Sequence, residues 1–245
     1  MVRSPMPRVV LAFAAHPDDA ELGCGATLAA FAASGGQAVI VDLTGGERAS
    51  RGTKEERWAE AQEAAKALGV ERLGLELPDT ALDAASDVQR RAVVQAIRTF
   101  KPAFVLLPHP DDPHPDHRQA SLLVQAATFL AGVHGFARDL GAAFRPALLL
   151  AYPGPRQVGE PTVVVDVSAS YGKKRHALAA YRSQFGAGET ATHLASGYFL
   201  AAIEGRDRAY GNTVGVEFGE GLFALGPVSG EALAAFLAEV SCASA

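Results

Sequence analysis

The chain has 245 residues, 49% of them hydrophobic and 20% charged, which suits a soluble globular α/β protein whose core needs no disulfide or metal staple. Its formal charge of -5 comes without a basic run, and its aromatic residues make no stacking pattern, so a nucleic-acid footprint is excluded and small molecules are the expected partners. Cys24 and Cys242 form no CxxC pair, which argues against a disulfide framework or a thiolate zinc knuckle and fits a reducing cytoplasm.

The N-terminal "MVRSPMPRVVLAFAAHPDD" carries a short apolar run that meets Asp18 and Asp19 well before the roughly 20 residues of a bilayer span. It reads as a buried strand over 9–15, neither signal nor anchor, and no membrane partner is expected. A helix follows, ended by Gly35 and Gly36, and then a second apolar strand over 37–44. Residues 53–69 form the clearest helix, with a Thr53/Glu56 capping box, an apolar stripe of Trp58, Ala61, Ala65 and Leu68, and Gly69 as its stop. A strand over 72–77, a Ser86-capped helix through Phe100 and a strand over 103–108 complete a β-α-β-α-β series. Such a series demands right-handed crossovers and a parallel, Rossmann-like sheet with helices on both faces.

Beyond residue 117 the pattern predicts a helix, strands over 147–152 and 162–168, a helix over 173–185, a strand or hairpin over 215–225 and a terminal helix over 230–240. No linker, solenoid repeat or low-complexity segment divides the chain, so one domain over 1–245 is expected.

Ligands of open parallel sheets bind beyond the carboxyl ends of the strands, where strand order reverses. Two acidic histidine clusters fall at such ends. "AFAA" runs into His16-Pro17-Asp18-Asp19, and "FVLLP" runs into "HPDDPHPDH", residues 109–117. A single HPDD is accounted for by helix capping, since an aspartate there satisfies free N–H groups and the helix dipole. Two clusters favour a site instead, because turns do not require imidazoles, and His16, His109, His114, His117 and, more weakly, His134 are all candidates. Mixed His and Asp donors with one position left open suit a catalytic divalent metal, zinc foremost. The i, i+3 spacing puts His16 and Asp19 on one side of a turn, leaving Asp18 near the metal as a base. Gly23 and Gly25 weakly suggest a dinucleotide loop, but Leu28 stands where its third glycine belongs. Cys24 falls inside a buried helix, away from any evident base.

"AHPDDAELGCGATLA" and "DPHPDHRQA", in that order and spacing, resemble the LmbE-like or PIG-L zinc-dependent N-deacetylases, which act on N-acetylglucosamine-type groups. "DLTGGERASRGTKEERWAEA", "LELPDTAL", "YRSQF" and "YGNTVGVEFGEGL" are similar to the bacillithiol-pathway branch, whose members deacetylate N-acetylglucosaminyl-malate; coverage runs over roughly residues 9–228. The resemblance implies Zn²⁺ on His16, Asp19 and His117, with Asp18 as general base. It also implies protonated His114 as oxyanion or leaving-group partner, its ring held by Asp116. His109 has no counterpart in that pattern; it, Pro110 and Asp111 are expected to turn the chain, with Asp112 bracing the loop. The loop after the second strand, with Glu47, Arg48 and Arg51, and Arg57 behind it, look like substrate-side elements, a guanidinium being able to fork a malate carboxylate. Arg51 stands in "ASRGT" where relatives often have a neutral amide. His193 and Tyr198 lie in a stretch expected to fold back over the site. The family's habit implies a homo-oligomer. Deacetylation of another amino sugar, and a non-catalytic metal- or nucleotide-binding module, are the alternatives.

Overall fold

The computed structural model describes residues 8–156, 159–188 and 190–241, so Cys242 lies outside the described residues. Seven strands, β1 (Val9–Ala14), β2 (Gln37–Thr44), β3 (Glu71–Leu77), β4 (Phe104–Pro108), β5 (Leu148–Tyr152), β6 (Val163–Asp166) and β7 (Gly219–Ala224), line up in the order β3-β2-β1-β4-β5-β7-β6. The pairings β3-β2, β2-β1, β1-β4 and β4-β5 are parallel, whereas β7 runs antiparallel to both β5 and β6. Strand order reverses between β1 and β4.

Period-2 alternation decides the two cores. Val10, Ala12, Ile40, Phe104, Leu106 and Leu150 face one layer, built on α1 (Asp19–Ala33), α2 (Lys54–Leu68), α5 (Tyr171–Ala180) and α8 (Gly230–Ser241). Leu11, Phe13, Val39, Val41, Val105 and Leu107 face the other, under α3 (Asp87–Phe100) and α4 (Pro115–Ala131). Both faces of the central strands are therefore dry, at about 1.5–3 kcal/mol for each large side chain buried.

The Thr53/Glu56 capping box forms and Gly69 ends α2 in the left-handed region. Of the expected α2 stripe, Ala61, Ala65 and Leu68 are buried while Trp58 is 40% exposed, and Arg57, Glu60 and Ala64 complete the buried face. Two polar side chains occupy that face because both hold the site loops. The helix expected over 173–185 breaks at Tyr181, separating α5 from α6 (Arg182–Phe185). α7 (Phe199–Val214), which packs on β6 and β7, has no counterpart among the elements expected from the sequence.

α1 hides a second break. Cys24 leaves the helical region at φ -148°, ψ 20°, so the Leu22 carbonyl takes partners from outside the helix and Ala26 and Thr27 begin a new helical segment. Side chains from the C-terminal half satisfy the freed groups. Lys174 Nζ and Arg206 Nη2 donate to Leu22 O at 3.1 and 2.7 Å, while Ala26 N and Thr27 N donate to Glu220 at 3.1 and 2.7 Å. Fully buried Lys174 also donates to Asp207 and Glu220, both at 2.7 Å. Gly23 faces Tyr152 so closely that an added Cβ would lie 2.2 Å from its ring, which makes this a packing glycine and not a phosphate-binding one.

Candidate active site at the sheet switch point

The loops after β1 and β4 meet at the reversal of strand order and line a cavity of about 510 Å³. His16, Asp19 and His117 come together there, each offering a donor atom within 4.8 Å of the others. Asp19 Oδ2 lies 3.4 Å from His16 Nδ1 and 3.2 Å from His117 Nε2. Donors sharing one tetrahedral ion at about 2.0–2.2 Å stand roughly 3.4 Å apart, so the set fits zinc. Pro115 at the first turn of α4 brings His117 inward, and His16 N donates to Asp19 Oδ2 at 2.9 Å.

The opposite ring nitrogens rest on carboxylates, the usual support of metal-binding imidazoles. His16 Nε2 lies 3.2 Å from Asp79 Oδ1 and 3.3 Å from Asp116 Oδ2, and His117 Nδ1 lies 3.1 Å from Asp112 Oδ2. Burial disfavours an imidazolium at both positions, but these carboxylates outweigh it. The pKa of His16 is raised well above the ordinary value, and that of His117 is pushed up to about 10. Burial alone would raise Asp19; His117 and His16 instead hold it well below the usual carboxylate range.

Asp18 stands apart from this set. It occupies the N-cap position of α1 with a left-handed backbone, φ 105°, yet its side chain caps no amide. Its buried carboxylate lies 3.6 Å from Arg57 Nη2. Burial pushes its pKa up, Arg57 pulls it back and Asp19 raises it again, leaving it at about 7. A carboxylate so poised can take a proton and return it.

Four of the expected site residues have other contacts than those expected. Asp116 does not hold the His114 ring by its carboxylate, which accepts Thr80 N and faces His16; His114 Nδ1 instead accepts the Asp116 backbone N–H at 3.2 Å. That bond is consistent with a proton on Nε2, and burial together with His117 and His16 lowers the His114 pKa, which disfavours the expected imidazolium. Arg57 is buried, lines the cavity and donates to Gly46 O and Pro17 O at 2.9 and 2.8 Å, so that it braces the Asp18 turn. Glu47 turns away from the cavity to accept Asp79 N at 2.9 Å.

Arg51 lines the cavity, but its Nη1 donates to Gly186 O at 2.8 Å while Gln184 Nε2 donates to Arg51 O at 2.8 Å. Glu60 accepts both Ser183 N and Ser183 Oγ. "YRSQF" is thus a clasp on the loop after β2. His193 lines the cavity and its Nδ1 lies 3.2 Å from Tyr198 Oη, whereas Tyr198 points away at 62% exposure. His109 ends β4, bonding Tyr152 O through its amide and packing its ring on Phe223. His134 is exposed. Asp79 lies in "LELPDTAL", which is read only for its resemblance and given no role, although it follows the end of β3, where the same strand-end rule applies.

Two polar loops converging at the switch point of a mostly parallel sheet place the chain among α/β proteins with strand-end sites. The family model described as GlcNAc-PI de-N-acetylase, PIG-L, matches residues 11–128. Diacetylchitobiose deacetylase from Thermococcus kodakarensis is 32% identical over 231 residues, covering 87% of this chain and 84% of its own. 1D-myo-inositol 2-acetamido-2-deoxy-alpha-D-glucopyranoside deacetylase from Rhodococcus opacus is 27% identical, with 77% and 85% covered. The conserved protein TT1542 from Thermus thermophilus superposes with a TM-score of 0.80 at 39% identity, over 90% of this chain and 96% of that one. The chain belongs to the PIG-L, or LmbE-like, family of deacetylases.

Proposed function

We propose that the protein is a zinc-dependent hydrolase that removes the acetyl group from an N-acetylglucosaminyl conjugate, with N-acetylglucosaminyl-L-malate, a precursor of bacillithiol, as its substrate. The observation that carries this reading is the buried, uncoordinated carboxylate of Asp18 beside the donor set of His16, Asp19 and His117. A site that only held an ion would gain nothing from it. Both sequence relatives named above carry N-acetylated glucosamine in the names of their substrates, which supports the sugar class.

His16, Asp19 and His117 would hold the zinc ion, which when bound would supply Lewis-acid chemistry for the acetyl carbonyl and the attacking water. Asp18 takes the proton of the attacking water and returns it to the departing amine, as its pKa of about 7 allows. His114 presents Nε2–H to the oxygen on which negative charge develops, its ring oriented by the Asp116 amide. We further propose that residues 1–245 act as one domain in the cytoplasm, as a homo-oligomer whose mass can be read by sedimentation. No described helix is long and apolar enough to cross a membrane.

Acetate release from an N-acetylglucosaminide by zinc-loaded protein tests the reaction. Asp18→Asn is expected to keep its zinc and lose about 10³-fold in kcat. Turnover unchanged in that variant would remove the mechanism.

A further inference from the structure

Five described residues other than glycine take a positive φ, and two of them, Asp18 and Thr80, line the cavity. Asp18 carries the proposed base, whereas Thr80, at φ 62°, has no part in that chemistry. Threonine is ill suited to this conformation, because its branched Cβ crowds a left-handed backbone. Thr80 holds the third position of the turn closed by Ala81 N donating to Pro78 O at 3.3 Å, where a positive φ normally belongs to glycine or asparagine.

Its neighbours impose the conformation. Thr80 N donates to Asp116 Oδ2 at 2.9 Å, and the same oxygen stands 3.3 Å from His16 Nε2. On one side, Asp79 is held by Glu47, which accepts its N–H, and by Arg48 N at 2.8 Å. On the other, Ala81 O accepts Gln89 Nε2 at 3.0 Å. Backbone strain persists only where the surroundings over-determine it, and it concentrates at positions that bind or react.

The side chain is left for a ligand. Thr80 is exposed at the cavity, and among the described residues its hydroxyl makes no hydrogen bond, while the adjacent carboxylates of Asp79 and Asp116 face His16. A hydroxyl donates, accepts and carries no charge, so another hydroxyl is its natural counterpart. His16 turns Nδ1 to Asp19 and the donor set, and Nε2 to Asp116, the carboxylate that holds Thr80. The backbone of Thr80 therefore stands beyond His16 and not over the ion site, within reach of the sugar and away from the acetyl group. We propose that Thr80 is a specificity-determining residue whose hydroxyl exchanges a hydrogen bond with one hydroxyl of the bound sugar, its left-handed backbone serving to aim it. The identity of the ligand rests on the deacetylase reading.

Valine keeps the branching of Thr80 without the hydroxyl, serine keeps the hydroxyl, and glycine removes the side chain together with the strain. With methyl N-acetylglucosaminide as substrate, Thr80→Val is expected to raise KM by about tenfold with kcat nearly unchanged, and Thr80→Ser to regain most of that loss. Monodeoxy analogues, each lacking one sugar hydroxyl, identify the partner. Wild type should lose about tenfold in kcat/KM with one analogue, and Thr80→Val should lose nothing further with it, since both changes delete the same bond. Thr80→Gly should raise KM likewise while its thermal midpoint increases by about 2–4 °C, a combination that a purely structural threonine does not produce. Equal losses on every substrate with Thr80→Val, no loss at all, or a midpoint not raised by Thr80→Gly would each overturn the proposal and leave deacetylation intact. Calorimetric binding of methyl N-acetylglucosaminide in an Asp18→Asn background separates the site from turnover. Binding weakened by Thr80→Val supports the site even where nothing is cleaved, and binding indifferent to it, or none in the Asp18→Asn protein, overturns it.

Discussion

Arg57, expected on the substrate side from its charge, clamps the turn that carries the proposed base, Asp18. Its two bonds to Pro17 O and Gly46 O tie the Asp18 turn to the loop after β2, and its Nε has no partner. The left-handed backbone of Asp18 is strained, and the clamp holds that conformation in place. Lysine preserves the charge but cannot reach both carbonyls, so Arg57→Lys is expected to keep zinc and KM while kcat falls about 10²-fold, the scale of a 1 Å misplacement. Partial recovery of Arg57→Ala by added guanidinium, with none in Asp18→Asn, separates positioning from general loss of structure. Asp79 and Asp112 act on the metal donors instead. Asp79→Asn or Asp112→Asn should weaken zinc binding by about 10–100-fold, measured by competition with a chromophoric chelator. The candidate donor residues were legible because imidazoles and carboxylates recurred at two strand ends. Their supports were less so, since the partner of each imidazole is set by three-dimensional convergence: Asp79 lies 63 residues from His16.

At the scale of elements, the β-branched strands and capped helices were legible because their signals are local: period 2, a capping box, a terminal glycine. The breaks were not. The split in α1 falls at Cys24, between Gly23 and Gly25, and its freed groups are satisfied by Lys174, Arg206 and Glu220, which lie far along the chain. α7 was missed for a related reason: Gly205 and Gly211 interrupt its pattern, and burial on β6 and β7 compensates. Lys174→Met would leave Asp207, Glu220 and the Leu22 carbonyl short of a buried cation, a loss of about 3–5 kcal/mol. The thermal midpoint should fall by roughly 10 °C. Glu220→Gln in the same background should cost less than it does alone, because both substitutions remove one pair; strict additivity in urea melts would show that the two do not interact.

For the whole molecule, the sheet core and the site are stabilised separately, because the donors sit in the turn after β1 and the first turns of α1 and α4, at the carboxyl ends of the strands, while the apolar layers lie beneath. Chelation should therefore abolish activity and leave the far-UV spectrum unchanged, with a midpoint lowered by the binding free energy alone. That gap should depend on pH in a definite direction. In stripped protein the folded-state pKa of His117 is raised to about 10 by Asp19 and Asp112 against burial, and His16 is raised as well. Groups with raised pKa contribute stability that is complete below the unfolded-state value of about 6.5 and fades as pH climbs towards the folded value. Zinc must displace the same protons, so its affinity grows over that interval. Both effects act together: the midpoint difference between loaded and stripped protein should widen steadily from about pH 6 to about pH 9 in calorimetry, and zinc uptake near neutral pH should release protons to the buffer. A difference that stays constant or narrows would mean that the two imidazoles are neutral before the metal arrives.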